Sequence, residues 1–213
     1  MHSCFESKIM SSSRDEQGCF IILERTEFYP QGGGQPSDRG TLEVSGAKIA
    51  IQKVKSIEEK IRHYTDQDCS EWVGQIGKFE LDPQTRFLHS KLHTSGHLIG
   101  HLVEQKFPQW RAMKGHHFPK ECYVEFSSHN GLSSSPSVEL LNQNILEVIE
   151  SRAEIQTQND QPIRMVRIGE FPFAACGGTH VKNTQELQGL FVSKIKVKNN
   201  SLKIYYGVSL DGT

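Results

Sequence analysis

The spacing of apolar residues along the chain changes character twice. Between Cys19 and about Asp66, short runs rich in β-branched and aromatic residues (residues 20–23, 42–44, 48–54 and 60–64) alternate with glycine and polar turn clusters, which predicts a small β domain. At Asp82 and Pro83 an acidic capping residue precedes a proline at a first helical position, predicting a long helix that runs to Phe107 and stops at Pro108. A second helix is expected from Ser135 and Pro136 to near Gln156, with Leu140, Leu141, Ile145, Val148 and Ile149 at helical spacing as a core stripe. Residues 162–168 then read as a strand, and residues 190–197 and 202–208 as a hairpin turning around Lys198, Asn199, Asn200 and Ser201. The change of pattern near residue 80 divides the chain into a β-rich domain over residues 1–80 and a mixed α+β domain over residues 81–213.

Composition narrows the possibilities without choosing among them. The 213 residues are 36% hydrophobic and 23% charged, ordinary values for a globular protein, and no apolar run approaches the roughly 20 residues a membrane span needs. The start of the chain, from Met1, lacks a basic region followed by an apolar stretch, so a cytoplasmic protein is expected. Five cysteines, at positions 4, 19, 69, 122 and 176, are an odd and scattered set that fits reduced thiols better than a disulfide framework. A formal net charge of -1 means that any contact with nucleic acid must come from a local patch.

The chemistry concentrates in two segments. His89, His93, His97 and His101 recur every four residues on the first long helix, so at about 100° per residue they form one stripe, and neighbouring pairs could share a metal. Leu88, Leu92, Ile99, Leu102 and Val103 fall on a separate arc, which predicts that the histidines avoid the face that packs the core. Gly96 and Gly100 weaken a helix and mark close approach by backbone or ligand. Far downstream, Cys176, Gly177, Gly178, Thr179 and His180 place a thiol and an imidazole three residues apart around two glycines. Together the two segments offer a three-nitrogen, one-sulfur set suited to Zn²⁺ and unsuited to Mg²⁺ or Ca²⁺. Spacing alone leaves the helical pair open among 89/93, 93/97 and 97/101.

Residues 86–98, the stretch Lys114, Gly115, His116, His117, Phe118 and Pro119, and residues 176–184 resemble the editing domain of alanyl-tRNA synthetases and its detached AlaX relatives. Phe28, Tyr29, Pro30, Gln31, Gly32, Gly33, Gly34 and Gln35 resemble the glycine-rich motif that precedes that domain in the synthetases and in the longer AlaX type. The resemblance covers about residues 20–208, whereas no amino-acid activation domain fits in the chain. It implies an α+β fold in which a small N-terminal β-barrel-like domain precedes an editing domain with a central antiparallel sheet and a long zinc-bearing helix. It assigns one Zn²⁺ per chain to His93, His97, Cys176 and His180, leaving His89 and His101 as bystanders or supporting groups. The implied activity is trans-acting hydrolysis of the aminoacyl ester of mischarged tRNA, seryl- or glycyl-tRNA(Ala), at the acceptor end; a monomer is expected, although no residue pattern fixes the oligomeric state.

Four protein ligands would close a tetrahedral site, the usual mark of structural zinc, so a non-catalytic, zinc-stabilised tRNA-binding module is the competing expectation. A zinc peptidase is disfavoured because Thr94, not glutamate, follows His93. No general base is assigned; His116, His117 and Glu125 are candidates, and strand or loop surface is the commoner reading of such residues. Thr94, Ser95 and Thr179 are hydroxyls that could read a serine substrate or simply bond the backbone. By themselves Gly32, Gly33 and Gly34 read as a flexible turn ending before Pro36; the resemblance implies instead that they let backbone approach the acceptor end or the pocket closely, and that with Gln35 they bind the substrate. Lys194, Lys196 and Lys198 share one face of a period-two strand and Lys203 extends the charge across the hairpin, as an RNA contact or as an ordinary solvated face.

Overall fold

The computed structural model describes residues 4–128, 134–159 and 163–209. By density of contacts the chain divides into two compact units, Met1–Gly32 with Pro36–Leu88, and Gly33–Gln35 with His89–Thr213.

In the first unit, β1 (Cys4–Asp15), β2 (Gly18–Leu23), β3 (Gly40–Val44), β4 (Ala47–Ile57), β5 (Lys60–Thr65) and β6 (Ile76–Leu81) close into a barrel in the order β1-β2-β5-β4-β3-β6. Every neighbouring pair is antiparallel, and closure leaves no unpaired edge. Period-two alternation sends Ile9, Ile21, Leu42, Ile49, Ile51 and Phe79 into the interior. The sequence pattern starts at Cys19 and so misses β1, and it misses β6 as well. In β1 only Ser7 and Ile9 are buried, and the run Ser11, Ser12, Ser13, Arg14, Asp15 has no apolar face; its strand geometry comes from ladders to β2 and β6. At the base of the glycine-rich segment, Asp38 accepts from the Tyr29 amide at 2.6 Å and from the Arg86 guanidinium.

The barrel encloses one histidine. His63 is fully buried, with its ring nitrogens on Thr26 Oγ1 at 2.8 Å and the Ile21 carbonyl at 3.3 Å. Burial pushes its pKa down to about 4, against hydrogen bonds from the backbone that act the other way. The unfolded chain therefore takes up this proton near pH 6.5 while the fold refuses it until about pH 4, so stability is lost as pH falls through that window. Between pH 7 and pH 5 denaturant unfolding should show a loss of about 2 kcal/mol from this group, which the His63→Gln variant should lack.

The second unit is built from α1 (Pro83–Lys106), of which it takes His89 onward, with β7 (Trp110–His116), β8 (Tyr123–Ser128), α2 (Val138–Glu150), β9 (Ile155–Gln158), β10 (Met165–Ile168), β11 (Ala174–Ala175), β12 (Leu190–Lys198) and β13 (Ser201–Val208). One antiparallel sheet runs β12-β13-β8-β7 and another β11-β10-β9. Val124, Phe126, Leu202, Ile204 and Tyr206 form the buried face of the larger sheet, and the Tyr206 hydroxyl donates to the Leu92 carbonyl of α1 at 2.9 Å. Asp82 caps α1 by accepting from the amides of Gln84 at 3.0 Å and Thr85 at 3.1 Å. The second helix is shorter than its sequence pattern: Ser137, not Ser135, caps it through Leu140 N, and it ends at Glu150. The strand expected over residues 162–168 is observed as β10; Pro162 lies outside the described residues. With thirteen strands and two α-helices among the described residues, the fold is mostly β. The strands the pattern misses, β7 to β9 among them, are short or half-exposed; β7 and β9 pair with the strand that follows them, and β8 also pairs with β13 far along the chain.

Candidate metal centre

The long helix sets the first half of the site. An i,i+4 pair on an α-helix shares one face, and His93 Nε2 and His97 Nε2 lie 3.2 Å apart. The second half is the loop after β11, whose start is pinned by the Cys176 amide donating to the Arg164 carbonyl at 2.9 Å. That loop brings Cys176 Sγ to 3.1 Å from His93 Nε2 and His180 Nε2 to 3.2 Å from the same sulfur. The four ligand atoms lie within 4.8 Å of one another. His89 and His101 are outside this set, His101 stacking on Phe171 with ring centroids 5.2 Å apart.

Three imidazole nitrogens and a thiol converging on one point lack enough protons to satisfy each other, which is the arrangement a cation resolves. A tetrahedral Zn²⁺ with bonds of about 2.0 Å to nitrogen and 2.3 Å to sulfur has ligand-to-ligand edges of about 3.3–3.6 Å, close to the 3.1 and 3.2 Å of His93 to Cys176, His93 to His97 and Cys176 to His180. The residues present therefore fit one metal ion.

The surrounding groups fix the donors in the state a metal needs. Thr94 donates its only hydroxyl proton to the Ser90 carbonyl at 2.8 Å, so at 3.1 Å from His180 Nδ1 it accepts, which leaves the Nε2 lone pair pointing into the cluster. Tyr206 likewise donates to Leu92, so His117, 2.5 Å away through Nδ1, carries its proton there. Burial, reinforced by neighbouring imidazoles, pushes His97 down to about 4, His180 to about 3 and His117 to about 3, and lowers His93 further still. All four are neutral at pH 7. Burial pushes the Cys176 thiol up, against the Gly178 amide, which points at its sulfur from 3.3 Å, and the Arg164 charge.

The expectation that the histidines avoid the buried face fails. His89 and His93 are buried, as are Ser90, Thr94, Ser95 and Gly96, because α1 is enclosed on nearly all sides. Two glycines have steric reasons that spacing could not show. A Cβ on Gly96 would sit 2.3 Å from His117 Cε1, and one on Gly178 would sit 2.4 Å from His93 Cε1. Gly100 has only ordinary contact, 3.8 Å to Ala112 Cβ.

In the glycine-rich motif, Gly32 is exposed beside the Tyr29 hydroxyl, and Gly33 and Gly34 hold φ of 54° and 76°, which favours glycine. What Gly34 approaches is the protein's own backbone: a Cβ there would meet the Gly115 carbonyl at 2.2 Å, and its carbonyl accepts from the His117 amide at 2.8 Å. Gln35 is fully buried and clamps the metal loop, donating from Nε2 to Thr179 Oγ1 at 2.8 Å and accepting from the Thr179 amide at 3.0 Å. Ser90 Oγ also donates to Thr179 Oγ1, at 2.7 Å, so the Thr179 hydroxyl accepts twice and its own proton is left to donate. Thr94 and Ser95 instead bond backbone carbonyls, and Ser95 stands apart from the cluster on Lys91 O.

Of the three residues considered as bases, His117 alone lies beside the cluster, its ring 4.7 Å from that of His93. His116 and Glu125 point to the opposite sheet face, where Glu125 meets Lys203 at 3.4 Å. Sequence reasoning missed Arg164, which donates to the Cys176 carbonyl at 3.1 Å and the Gly178 carbonyl at 2.5 Å, and Tyr206; neither sits in a recognisable motif.

Among the described residues no helix is long and apolar enough to cross a membrane. Residues 2–82 match the family of class II (A) tRNA synthetases, and residues 163–203 match the second additional domain of threonyl and alanyl tRNA synthetases. The alanyl-tRNA editing protein AlaX-M of Saccharolobus solfataricus is 31% identical, covering 90% of this chain and 90% of its own length. That of Methanosarcina barkeri is 28% identical, covering 97% of this chain and 94% of its own. The alanine–tRNA ligase of Metallosphaera sedula is 24% identical over 95% of this chain, a stretch that makes up 24% of the ligase. Similarity at that level along nearly the whole chain, joined to a half-buried histidine and cysteine cluster, means that the chain belongs to the alanyl-tRNA editing protein AlaX-M family.

Proposed function

We propose that the protein is a trans-acting aminoacyl-tRNA deacylase that hydrolyses the ester of seryl- or glycyl-tRNA(Ala), working as a monomer in the cytoplasm on the acceptor end. The observation that carries this reading is the convergence of His93, His97, Cys176 and His180, in a chain whose relatives are named for alanyl-tRNA editing. The four residues would hold one Zn²⁺, making α1 a zinc-bearing helix. With a fifth position opening to the substrate, a bound Zn²⁺ would supply Lewis-acid polarisation of the ester carbonyl.

The rest falls to the chain's own side chains. Arg164 and Gln35 hold the Cys176–His180 loop from two sides, and Thr94 keeps the His180 Nε2 lone pair aimed into the cluster, where it would ligate the ion. Thr179 offers a hydroxyl proton beside the cluster, a donor suited to a serine hydroxyl. Alanine would leave that donor unpaired, and this is how serine is told from the smaller cognate amino acid where size exclusion fails; the argument covers the serine ester, since glycine has no hydroxyl to pair. The glycine-rich segment acts in this reading through Gln35, with Gly32, Gly33 and Gly34 shaping its approach.

Serine, glycine and alanine esters on the same tRNA(Ala), assayed with and without chelator, test this. Release of serine or glycine with alanine retained, lost on chelation, is expected; no release above the chelated control from any ester overturns it. Thr179→Val should lower kcat/KM for the serine ester by about 10- to 100-fold, the worth of one buried hydrogen bond, while Thr179→Ser retains it. The four-donor shell favours one other reading, a structural zinc in a tRNA-binding module, which predicts that chelation unfolds the second unit and that tRNA binds without turnover.

A further inference from the structure

The larger sheet of the second unit has a second face, and strand register puts unusual chemistry on it. Residues directly opposite in antiparallel strands point the same way. The pairings Lys194↔Tyr205, Tyr205↔Tyr123 and His116↔Tyr123 make one rung, and Lys196↔Lys203, Lys203↔Glu125 and Lys114↔Glu125 make the next. A third begins with Lys198↔Ser201. All point away from the buried face formed by Val124, Phe126, Leu202 and Ile204.

The aromatic rung is continuous. His116 stacks on Phe118 with centroids 4.5 Å apart and on Tyr123 at 5.2 Å, and Tyr123 meets Tyr205 at 6.0 Å. Lys203 lies 4.1 Å over the Tyr123 ring and Lys196 lies 5.4 Å over that of Tyr205, so ammonium groups and ring faces share one surface. On these rungs, among the described residues, Glu125 is the one carboxylate beside five lysines, in a chain whose net charge is -1. The positive field is thus local. Glu125, Lys196, Lys198 and Lys203 line a depression of about 560 Å³ at the hairpin end of this face.

We propose that this face docks an unpaired RNA strand of the tRNA, phosphates on the lysine rung and bases on the aromatic one. The proposal rests on the tRNA-hydrolase reading for the identity of the RNA. Charge complementarity calls for a polyanion, and a row of ring faces calls for one with flat π surfaces, which an acidic peptide or a lipid headgroup lacks.

The test is anisotropy of labelled, unacylated tRNA(Ala) transcript titrated with the full chain over a range of salt. The Lys196→Gln/Lys198→Gln double variant should flatten the slope of log Kd against log salt by roughly 1 to 2, the loss of one or two phosphate contacts. Tyr205→Ala should weaken binding about fivefold or more and Tyr205→Phe should restore it, because the ring and not the hydroxyl stacks. With mischarged tRNA, KM should rise and kcat hold. Unchanged Kd and slope in these variants overturn the proposal, as does a lysine effect seen on phosphatidylserine vesicles but not on tRNA. If Tyr205→Ala fails to fold, the lysine pair, exposed on β12, decides alone. Wild-type turnover unaltered by these substitutions would sink the docking face and leave the hydrolase standing. Salt-sensitive tRNA binding through this face without release from any ester would do the reverse.

Discussion

Cys176→Ala is expected to lose both bound zinc and deacylation, with the first unit's barrel unaffected. Removing sulfur leaves three imidazoles around the cation, and the loss should exceed the roughly 10- to 100-fold that removal of a mere supporting group costs a metal site. His97→Ala should behave alike, whereas His89 and His101 variants should keep most of the metal, since neither belongs to the converging set. A proton count gives a second readout. At pH 7 burial holds His93, His97 and His180 neutral and the Cys176 thiol protonated, so Zn²⁺ uptake should release about one proton, from sulfur. Metal affinity should accordingly rise with pH. Calorimetry in buffers of different ionisation enthalpy checks the count. Full zinc content in Cys176→Ala, or a dispensable His93 with an essential His101, would show that the donor set is wrong.

Gly178→Ala should be nearly as damaging, although it removes no ligand. The added methyl would lie 2.4 Å from His93 Cε1 and 2.8 Å from both ring nitrogens, so either the ring or the loop must move. His93 is almost fully buried and Arg164 and Gln35 hold the loop, so neither has room to yield cheaply. A displacement of this kind can cost about 100-fold in rate, and zinc affinity should fall by about 10- to 100-fold. The adjacent Gly177 is the control: it is exposed, and nothing lies within 4 Å of a Cβ placed there, so Gly177→Ala should match wild type. Equal zinc content and turnover in the two variants would refute this steric account.

Much of the metal centre was legible because its two halves are local patterns. Two histidines four residues apart on an α-helix, and a glycine-bridged thiol and imidazole, each bring their groups together without help from the rest of the chain. What surrounds them was not legible. Gln35 could be singled out within its glycine-rich motif, but its partner, the Thr179 amide and hydroxyl, is 144 residues away. Gly34 stood out for its motif, and the neighbour that a side chain there would strike, the Gly115 carbonyl, lies far along the chain. Arg164 carries no pattern, because one arginine before a short strand looks like any other.

The sequence by itself determined the two helices, most strands of the barrel, the terminal hairpin and the residue types able to bind a soft divalent cation, since periodicity, caps and i,i+4 spacing are properties of neighbouring residues. Only the tertiary structure decided which histidines meet Cys176, which nitrogen of His180 faces the cluster, and that β1 and β6 close the barrel. Those outcomes depend on burial and on hydrogen bonds between residues far apart in the chain, where a single proton on Thr94 or a missing Cβ on Gly178 selects one arrangement over the rest.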